Sequence, residues 1–309
     1  MSFEVIIVGG SFAGQSAALQ LARARRRVLL VDKKEPRNRF ARSSHGFLGQ
    51  DGEAPAAIMA KATRQLSAYP TVVQVEGEAV TARREDHTFR VRLADGREEL
   101  GARLILAVGV RDTLPAVDGL EERWGVSVLH CPYCHGYELG GGPIGVLASG
   151  PNAVHQATLV PDWGPTTLFT QGVFEPDAEQ EALLTERGAA IERTPIVELL
   201  GTAPALQAVR LADGRTVELA GLFVAPKTAL SSDLGAQLGC AFEDGPTGPF
   251  IRVDGRQRTS VPGVLAAGDA ASAMTNATLA AASGAMAGFG AHQSLIFGEP
   301  AQRPSSAAA

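Results

Sequence analysis

The chain has 309 residues, of which 45% are hydrophobic and 20% charged, with a formal net charge of −5. That length gives room for two medium domains, and the acidic balance excludes a general electrostatic pull toward nucleic acid or an anionic membrane surface. With 35 glycines and 18 prolines but only 6% aromatic residues, the composition asks for many tight turns and a core of aliphatic side chains and alanine. No stretch reaches about 18 consecutive apolar residues, so no membrane span is expected. The apolar run at the N-terminus lacks the basic start of a secretory leader, and the expected location is the cytoplasm.

The run Val5–Val8 is uninterruptedly apolar, as a strand buried on both faces should be. It ends in Gly9-Gly10-Ser11-Phe12-Ala13-Gly14, and a helical pattern follows through Ala17, Ala18, Leu21 and Ala22. Arg25-Arg26-Arg27 reads as the solvated end of that helix. A second buried strand, Val28–Val31, then runs into Asp32. Strand, glycine turn, helix, strand and acid in this order make the first βαβ unit of a dinucleotide-binding domain. Ser11 stands where the middle glycine is usual, and Asp32 is placed to accept from a ribose hydroxyl.

Further along, FRVRLADGREEL and ARLILAVG predict strand, turn and strand between Phe89 and Val108. The pentapeptide LADGR starts at Leu93 and again at Leu211. Between the two copies another buried strand, Ile144–Ala148, meets another turn, Ser149-Gly150-Pro151-Asn152-Ala153. The chain therefore holds two related nucleotide-binding-type units. After turn-rich boundaries at Asp112–Asp118 and Phe242–Pro249, strands are expected at Ile251–Val253 and Val264–Ala267. Gly268-Asp269 and a long Ala-rich helix follow, and read as the return of the first domain. The expected fold is α/β, with two Rossmann-like three-layer nucleotide-binding domains and the second inserted into the first. The first domain comprises residues 1–113 and 245–309, and the inserted domain residues 114–244. The tail Gln302–Ala309 is expected to fray.

The sequence His130-Cys131-Pro132-Tyr133-Cys134-His135 carries the most informative chemistry. Thiols at i and i+3 sit on one helical turn, close enough to close a small disulfide ring. A helix starting there would favour a thiolate at the first cysteine. His130 and His135 flank the pair and can move the proton that thiol–thiolate exchange requires. Three other readings compete: C-x-x-C-H as a haem c attachment string, half of a zinc site, and a plain pair of buried thiols. Haem c would need an exported chain and an axial partner. Zinc would need two more ligands, and Cys240 is solitary, so no metal site is expected.

Dithiol chemistry beside a dinucleotide fold needs a two-electron partner, and FAD supplies one, because its ADP half uses the same glycine turn. FAD also accounts for Gly268-Asp269, a turn and carboxylate at a strand end. The following helix, starting near Met274–Ala277, would aim its N-terminal dipole at the flavin.

With IIVGGSFAG, VLLVD, LILAVG, CPYCHGYE and VLAAGD in this order over nearly the whole length, the chain resembles the thioredoxin-reductase-like flavoprotein disulfide oxidoreductases. The resemblance implies an FAD-containing homodimer with a pyridine-nucleotide-type domain inserted in the FAD domain. It assigns Cys134 as the flavin-proximal thiol, Cys131 as the exchanging thiol, and His135 to the place of the usual acid. The implied cofactor residues in the first half of the chain are Gly9, Ser11, Phe12, Ala13, Gly14, Asp32 and Lys33, with Arg39 near phosphate, His45 near the flavin ring, and Val80. In the rest of the chain they are Gly109, Gly268, Asp269, Asn276 and Ala277.

Departures from the reductases narrow the expectation. The inserted domain reads Ala148-x-Gly150-x-x-Ala153, and Thr167–Gly172 carries no base where NADPH enzymes grip the 2′-phosphate. Val224-Ala225-Pro226-Lys227 replaces the second glycine signature. Thr275-Asn276 replaces the Arg-Gln pair before the last helix. The C-x-x-C-H-G-Y-E string preceded by His130, together with Pro36-Arg37-Asn38-Arg39 and His45–Gly49, is similar to the dithiol oxidases of the holomycin and gliotoxin type. These pass electrons from a small-molecule dithiol through FAD to dioxygen. The reading is an FAD-dependent dithiol/disulfide oxidoreductase, acting on a small-molecule dithiol or disulfide or on a thioredoxin-like protein. The alternatives are a thioredoxin reductase fed by NADPH or ferredoxin, and an FAD-binding redox sensor.

Overall fold

A computed structural model describes residues 2–298; the tail expected to fray lies outside the described residues. Its first sheet has a parallel core in the order Val72–Glu76, Val28–Asp32, Phe3–Val8, Glu98–Leu106, Val264–Ala266. The strand Glu98–Leu106 serves two partners along one edge. Its first half pairs antiparallel with Thr88–Leu93, which continues to Ala79–Glu85, and its second half pairs parallel with Val264–Ala266. The return of the chain at Val264 therefore completes a sheet begun at Phe3.

Strand alternation explains the uninterrupted apolar runs. Ile6, Val8, Leu29, Val31, Leu104 and Leu106 enter one buried cluster, while Val5, Ile7, Val28, Leu30 and Ile105 enter another on the opposite face. Val5, Ile6 and Ile7 have no exposed surface, each contributing roughly 1.5–3 kcal/mol of burial. The second cluster is closed by the helices Phe12–Arg23 and Ala277–Phe297, which supply Ala13, Ala17, Ala18, Leu21, Ala287 and Ala291. These helices cross very closely. A Cβ on Gly284 would lie 2.1 Å from the carbonyl oxygen of Ala13, and one on Gly288 2.8 Å from that of Ala17. Only glycine permits this approach.

A second, wholly parallel sheet runs Ala189–Glu192, Thr166–Phe169, Ile144–Leu147, Gly221–Val224, Val128–Leu129. A three-stranded antiparallel sheet, Ile196–Leu200, Ala208–Leu211 and Thr216–Glu218, packs beside it. The two systems are joined by a two-stranded antiparallel connector in which Val110–Thr113 pairs with Lys227–Leu230. The α/β class expected from the sequence is the one observed.

Both LADGR copies close the same hairpin turn. Leu93 N donates to Arg97 O (2.8 Å) and Leu211 N to Arg215 O (2.9 Å). In each, the arginine Nε donates back to the turn aspartate at 2.7 Å. Gly96 and Gly214 take φ of +88° and +87°, as such turns require.

Several local boundaries differ from expectation, the strand over Ile144–Ala148, for instance, stopping at Leu147. The strand expected over Ile251–Val253 is Pro249–Ile251, and that over Val264–Ala267 stops at Ala266. The first helix ends at Arg23, so the Arg25–Arg27 segment lies beyond it. Arg25 and Arg27 are exposed as expected, while Arg26 is half-buried and pairs with Glu4 at 2.8 Å. Among the described residues no helix is long and apolar enough to cross a membrane.

Candidate active site

A cleft of about 1010 Å³ opens between the two sheet systems. One wall is the glycine turn. Gly9 adopts φ +101°, and a Cβ there would sit 2.1 Å from the carbonyl oxygen of Ala107; one on Gly10 would strike Asp32, 2.8 Å from its Oδ2. The turn is thus packed so tightly against the neighbouring strand ends that neither position admits a side chain. Ser11 begins the helix Phe12–Arg23 without a side-chain cap, so its first amide groups remain available to an anion. Asp32 stands at the neighbouring strand end, held by the Lys34 amide (3.3 Å) and ammonium (3.3 Å). Lys33 pairs with Glu35 at 2.9 Å on the rim.

The opposite wall carries the sulfurs. Cys131 caps a single helical turn, Pro132–His135, and is joined to Cys134 in a disulfide with Cα atoms 5.3 Å apart. Both line the same cleft as the glycine turn, together with His130 and His135. Trp163 supports this turn from behind. It meets the Tyr133 ring edge-on at 5.3 Å between centroids, and a Cβ on Gly136 would clash with it at 2.6 Å.

The two histidines differ in surroundings. Burial, reinforced by the positive charge of Arg37, pushes His130 down to about 4, against the pull of Asp112. Its Nδ1 is buried without a hydrogen-bond partner, so at pH 7 the ring is neutral and has a nitrogen to spare. His135 is also lowered, chiefly by burial and partly by the neighbouring His45, with Glu138 opposing. His45 crosses from the other wall. Its Nε2 lies 2.9 Å from Ser43 Oγ and 3.4 Å from Glu138 Oε1, and its ring meets His135 edge-on at 6.5 Å.

The low His130 value has a measurable consequence. A histidine neutral in the fold but titrating near 6.5 when unfolded contributes stability above pH 6.5 that is lost progressively as pH falls toward 4. The stability of the wild type relative to His130→Gln should fall by about 1–2 kcal/mol between pH 7.5 and pH 5, after discounting for partial exposure. Urea unfolding of both proteins at the two pH values checks this; parallel curves would refute it.

Of the other residues singled out in the sequence, Phe12, Ala13, Gly109, Gly268, Asp269, Asn276 and Ala277 line the cleft. Asn276 caps the long helix by accepting from the Leu279 amide at 2.7 Å. Gly14 lies outside the lining. Its role is contact, since a Cβ there would meet Gly9 O at 1.7 Å. Val80 also lies outside; its carbonyl accepts from Gln237 (3.1 Å), and Ala79 faces the cleft instead. Arg39 reaches the rim, but its guanidinium stacks on Phe40 at 4.3 Å from the ring centre.

Arg37 is a largely enclosed cation of the cleft, its side chain 19% exposed. Its guanidinium grips Asp112 through two bonds (2.6 and 2.9 Å) and reaches Asp269 (3.2 Å) and Thr275 (3.0 Å). Burial opposes its charge, but the two carboxylates outweigh this and hold its pKa above the ordinary value. Asp269, deeply enclosed, is pushed upward by burial despite Arg37. Trp124 also lines the cleft, as does Gln15. Gln15 donates to Gly10 O at 3.0 Å and keeps a buried, unpartnered Oε1.

Residues 3–284 match the pyridine nucleotide-disulphide oxidoreductase family. The chain belongs to that family. Within the pyridine nucleotide-disulphide oxidoreductases it is similar to thioredoxin reductase tcpT of Claviceps purpurea, 32% identical over 95% of this chain and 94% of that protein. The crystal structure of an oxidoreductase from Agrobacterium tumefaciens is 54% identical with a TM-score of 0.93, covering 97% of this chain and 100% of the other. The structure of HlmI is 36% identical with a TM-score of 0.90, covering 96% and 93%.

The protein is thus a thioredoxin-reductase-like FAD oxidoreductase acting on sulfur groups. The residues present fit that cofactor: a glycine turn that no side chain can enter, an uncapped helix start, and the acid Asp32 at the strand end.

Proposed function

We propose that the protein oxidises a small-molecule dithiol to a disulfide, passing the two electrons from Cys131/Cys134 through FAD to dioxygen or another acceptor. The observation that carries this reading is the disulfide lining the same cleft as the dinucleotide turn. Bound FAD supplies a two-electron acceptor for the reduced cysteine pair.

The remaining steps belong to the chain. A substrate thiolate attacks Cys131 Sγ, breaking the Cys131–Cys134 bond and releasing Cys134 as thiolate. The second substrate thiol attacks the substrate sulfur of the mixed disulfide, so the substrate leaves oxidised and Cys131 is freed. A flanking histidine, His130 or His135, accepts the proton of that second thiol.

Oxidation independent of NADPH is supported by how the inserted domain uses its polar groups. Gln171, beyond the strand where a 2′-phosphate would need a base, exchanges two bonds with the Ile196 backbone (2.7 and 2.8 Å). Asn152, in the second glycine turn, donates to Pro246 O at 2.7 Å. These side chains are engaged within the fold.

Anaerobic stopped-flow spectroscopy tests the reading. Dithiothreitol should bleach the flavin within the mixing experiment, and NADPH should not. Rapid bleaching by NADPH would favour the second reading, thioredoxin reduction, which the name of the Claviceps purpurea relative supports. We place the enzyme as a homodimer, because Phe289, Ile296 and Phe297 leave an apolar stretch exposed along the last helix.

A further inference from the structure

The connector strand Val110–Thr113 is where the chain leaves the first sheet system for the sulfur-bearing one, and it pairs only with the returning strand Lys227–Leu230 among the described residues. Two antiparallel strands of four residues are a slender joint, and an isolated two-stranded ribbon has little stiffness of its own. The angle at which the disulfide faces the glycine turn must therefore be fixed by side chains crossing between the walls.

Asn152 to Pro246 and Thr228 to Thr247 join the halves away from the cleft; at the cleft three such contacts are present. His45 approaches Glu138, whose side chain is 40% exposed, and His135 at the rim, and a contact open to water on one side holds weakly. Phe40 packs against Gly125, where a Cβ would approach to 2.7 Å. The third is the Arg37–Asp112 fork, with side chains only 19% and 8% exposed. A buried bidentate guanidinium–carboxylate pair is directional and is not replaced by water. Its other donor is anchored on Asp269 and Thr275, so Arg37 ties the connector strand to the two segments that precede the last helix.

We infer that Arg37 is a positioning residue: by gripping Asp112 it sets the angle of the connector and so holds the Cys131–Cys134 pair against the cofactor cleft. Arg37 and Asp112 exchange no electron or proton in this role. The inference rests on transfer from the sulfurs to FAD, and not on the direction of net reaction or on the substrate.

Asp112→Asn keeps shape and removes the charge, and Arg37→Lys keeps the charge and removes the fork. Nitroxide labels at Lys61→Cys and Leu183→Cys, both exposed and on helices of opposite halves, report the angle by pulsed electron-spin distance measurement. Labelling is done on the oxidised, FAD-loaded enzyme, whose active-site thiols are then closed, and labelled chains are diluted with unlabelled protein. A narrow distance distribution is expected for the otherwise wild-type enzyme and a broadened or shifted one for each variant. Reduction of the flavin by dithiothreitol should slow at least ~10-fold, since misplacement of about 1 Å is enough for such losses. Bound FAD and photoreduction of the flavin should be unchanged.

An unchanged distance distribution overturns the inference whatever the rate does, as does a broadened one with an unchanged rate. Loss of FAD with unchanged distances would make Arg37 part of cofactor binding instead. If Asp112→Asn does not fold, Arg37→Lys alone decides. The distance readout needs no substrate, so failure of the dithiol-oxidase reading shows separately, as rapid bleaching of the unlabelled wild-type flavin by NADPH.

Discussion

Cys134→Ser should yield a yellow, FAD-loaded protein whose flavin no dithiol can reduce, with the rate of bleaching down at least ~10³-fold, as for loss of an essential nucleophile. The disulfide is the sole route offered here between substrate and cofactor, and a hydroxyl can neither form it nor donate its electron pair. Because the cysteine contributes none of the glycine turn, FAD content should match the wild type. Cys131→Ser is the informative companion. It should also fail to turn over, yet it leaves the Cys134 thiolate in the cleft, so its flavin spectrum should carry a long-wavelength charge-transfer band that Cys134→Ser lacks. Anaerobic absorbance spectra of the two variants check both statements. Dithiol bleaching that persists in Cys134→Ser would mean that electrons reach the flavin directly from substrate.

Gly9→Ala should abolish FAD loading and destabilise the fold by about 3 kcal/mol or more. Two costs add. The residue holds φ +101°, which a Cβ makes unfavourable, and that Cβ would sit 2.1 Å from the Ala107 carbonyl oxygen, on a strand end that is itself fully packed. Gly96→Ala is the control. Its φ is +88°, but nothing lies within 4 Å of the added carbon, so only the conformational cost of about 1 kcal/mol applies and FAD content is unchanged. Urea midpoints and the flavin-to-protein absorbance ratio separate the two variants. Equal effects would show that backbone strain rather than close approach governs the turn.

The features legible in the sequence are those whose signal is contiguous. A glycine turn must follow its strand and precede its helix, so Gly9 to Gly14 carries its meaning within one βαβ unit. The C-x-x-C pair is compact for the same reason, and LADGR declared both hairpins by repeating. Arg37 was hidden by distance. Its partners Asp112 and Asp269 are far away in the chain, and nothing in Pro36-Arg37-Asn38-Arg39 says which arginine turns inward. Sequence reasoning favoured Arg39 for the phosphate side, whereas that side chain stacks on Phe40 at the rim. Trp124 was likewise opaque, because only the packing of two sheet systems makes a wall of it. Gly284 and Gly288 were masked by composition: within an Ala-rich helix, small residues look like filler. Their spacing of four could have signalled a helix face meeting another backbone.

That crossing bears on how the holoenzyme is assembled. With Gly284 against the Ala13 carbonyl and Gly288 against that of Ala17, the helices Phe12–Arg23 and Ala277–Phe297 are locked at nearly backbone-to-backbone spacing, and both begin at the cleft. Their positive ends form a jaw whose gape is set by main-chain contact alone. The jaw is therefore expected to take its shape once the first sheet has closed, so that uptake of FAD is capture into a ready socket instead of remodelling around a guest.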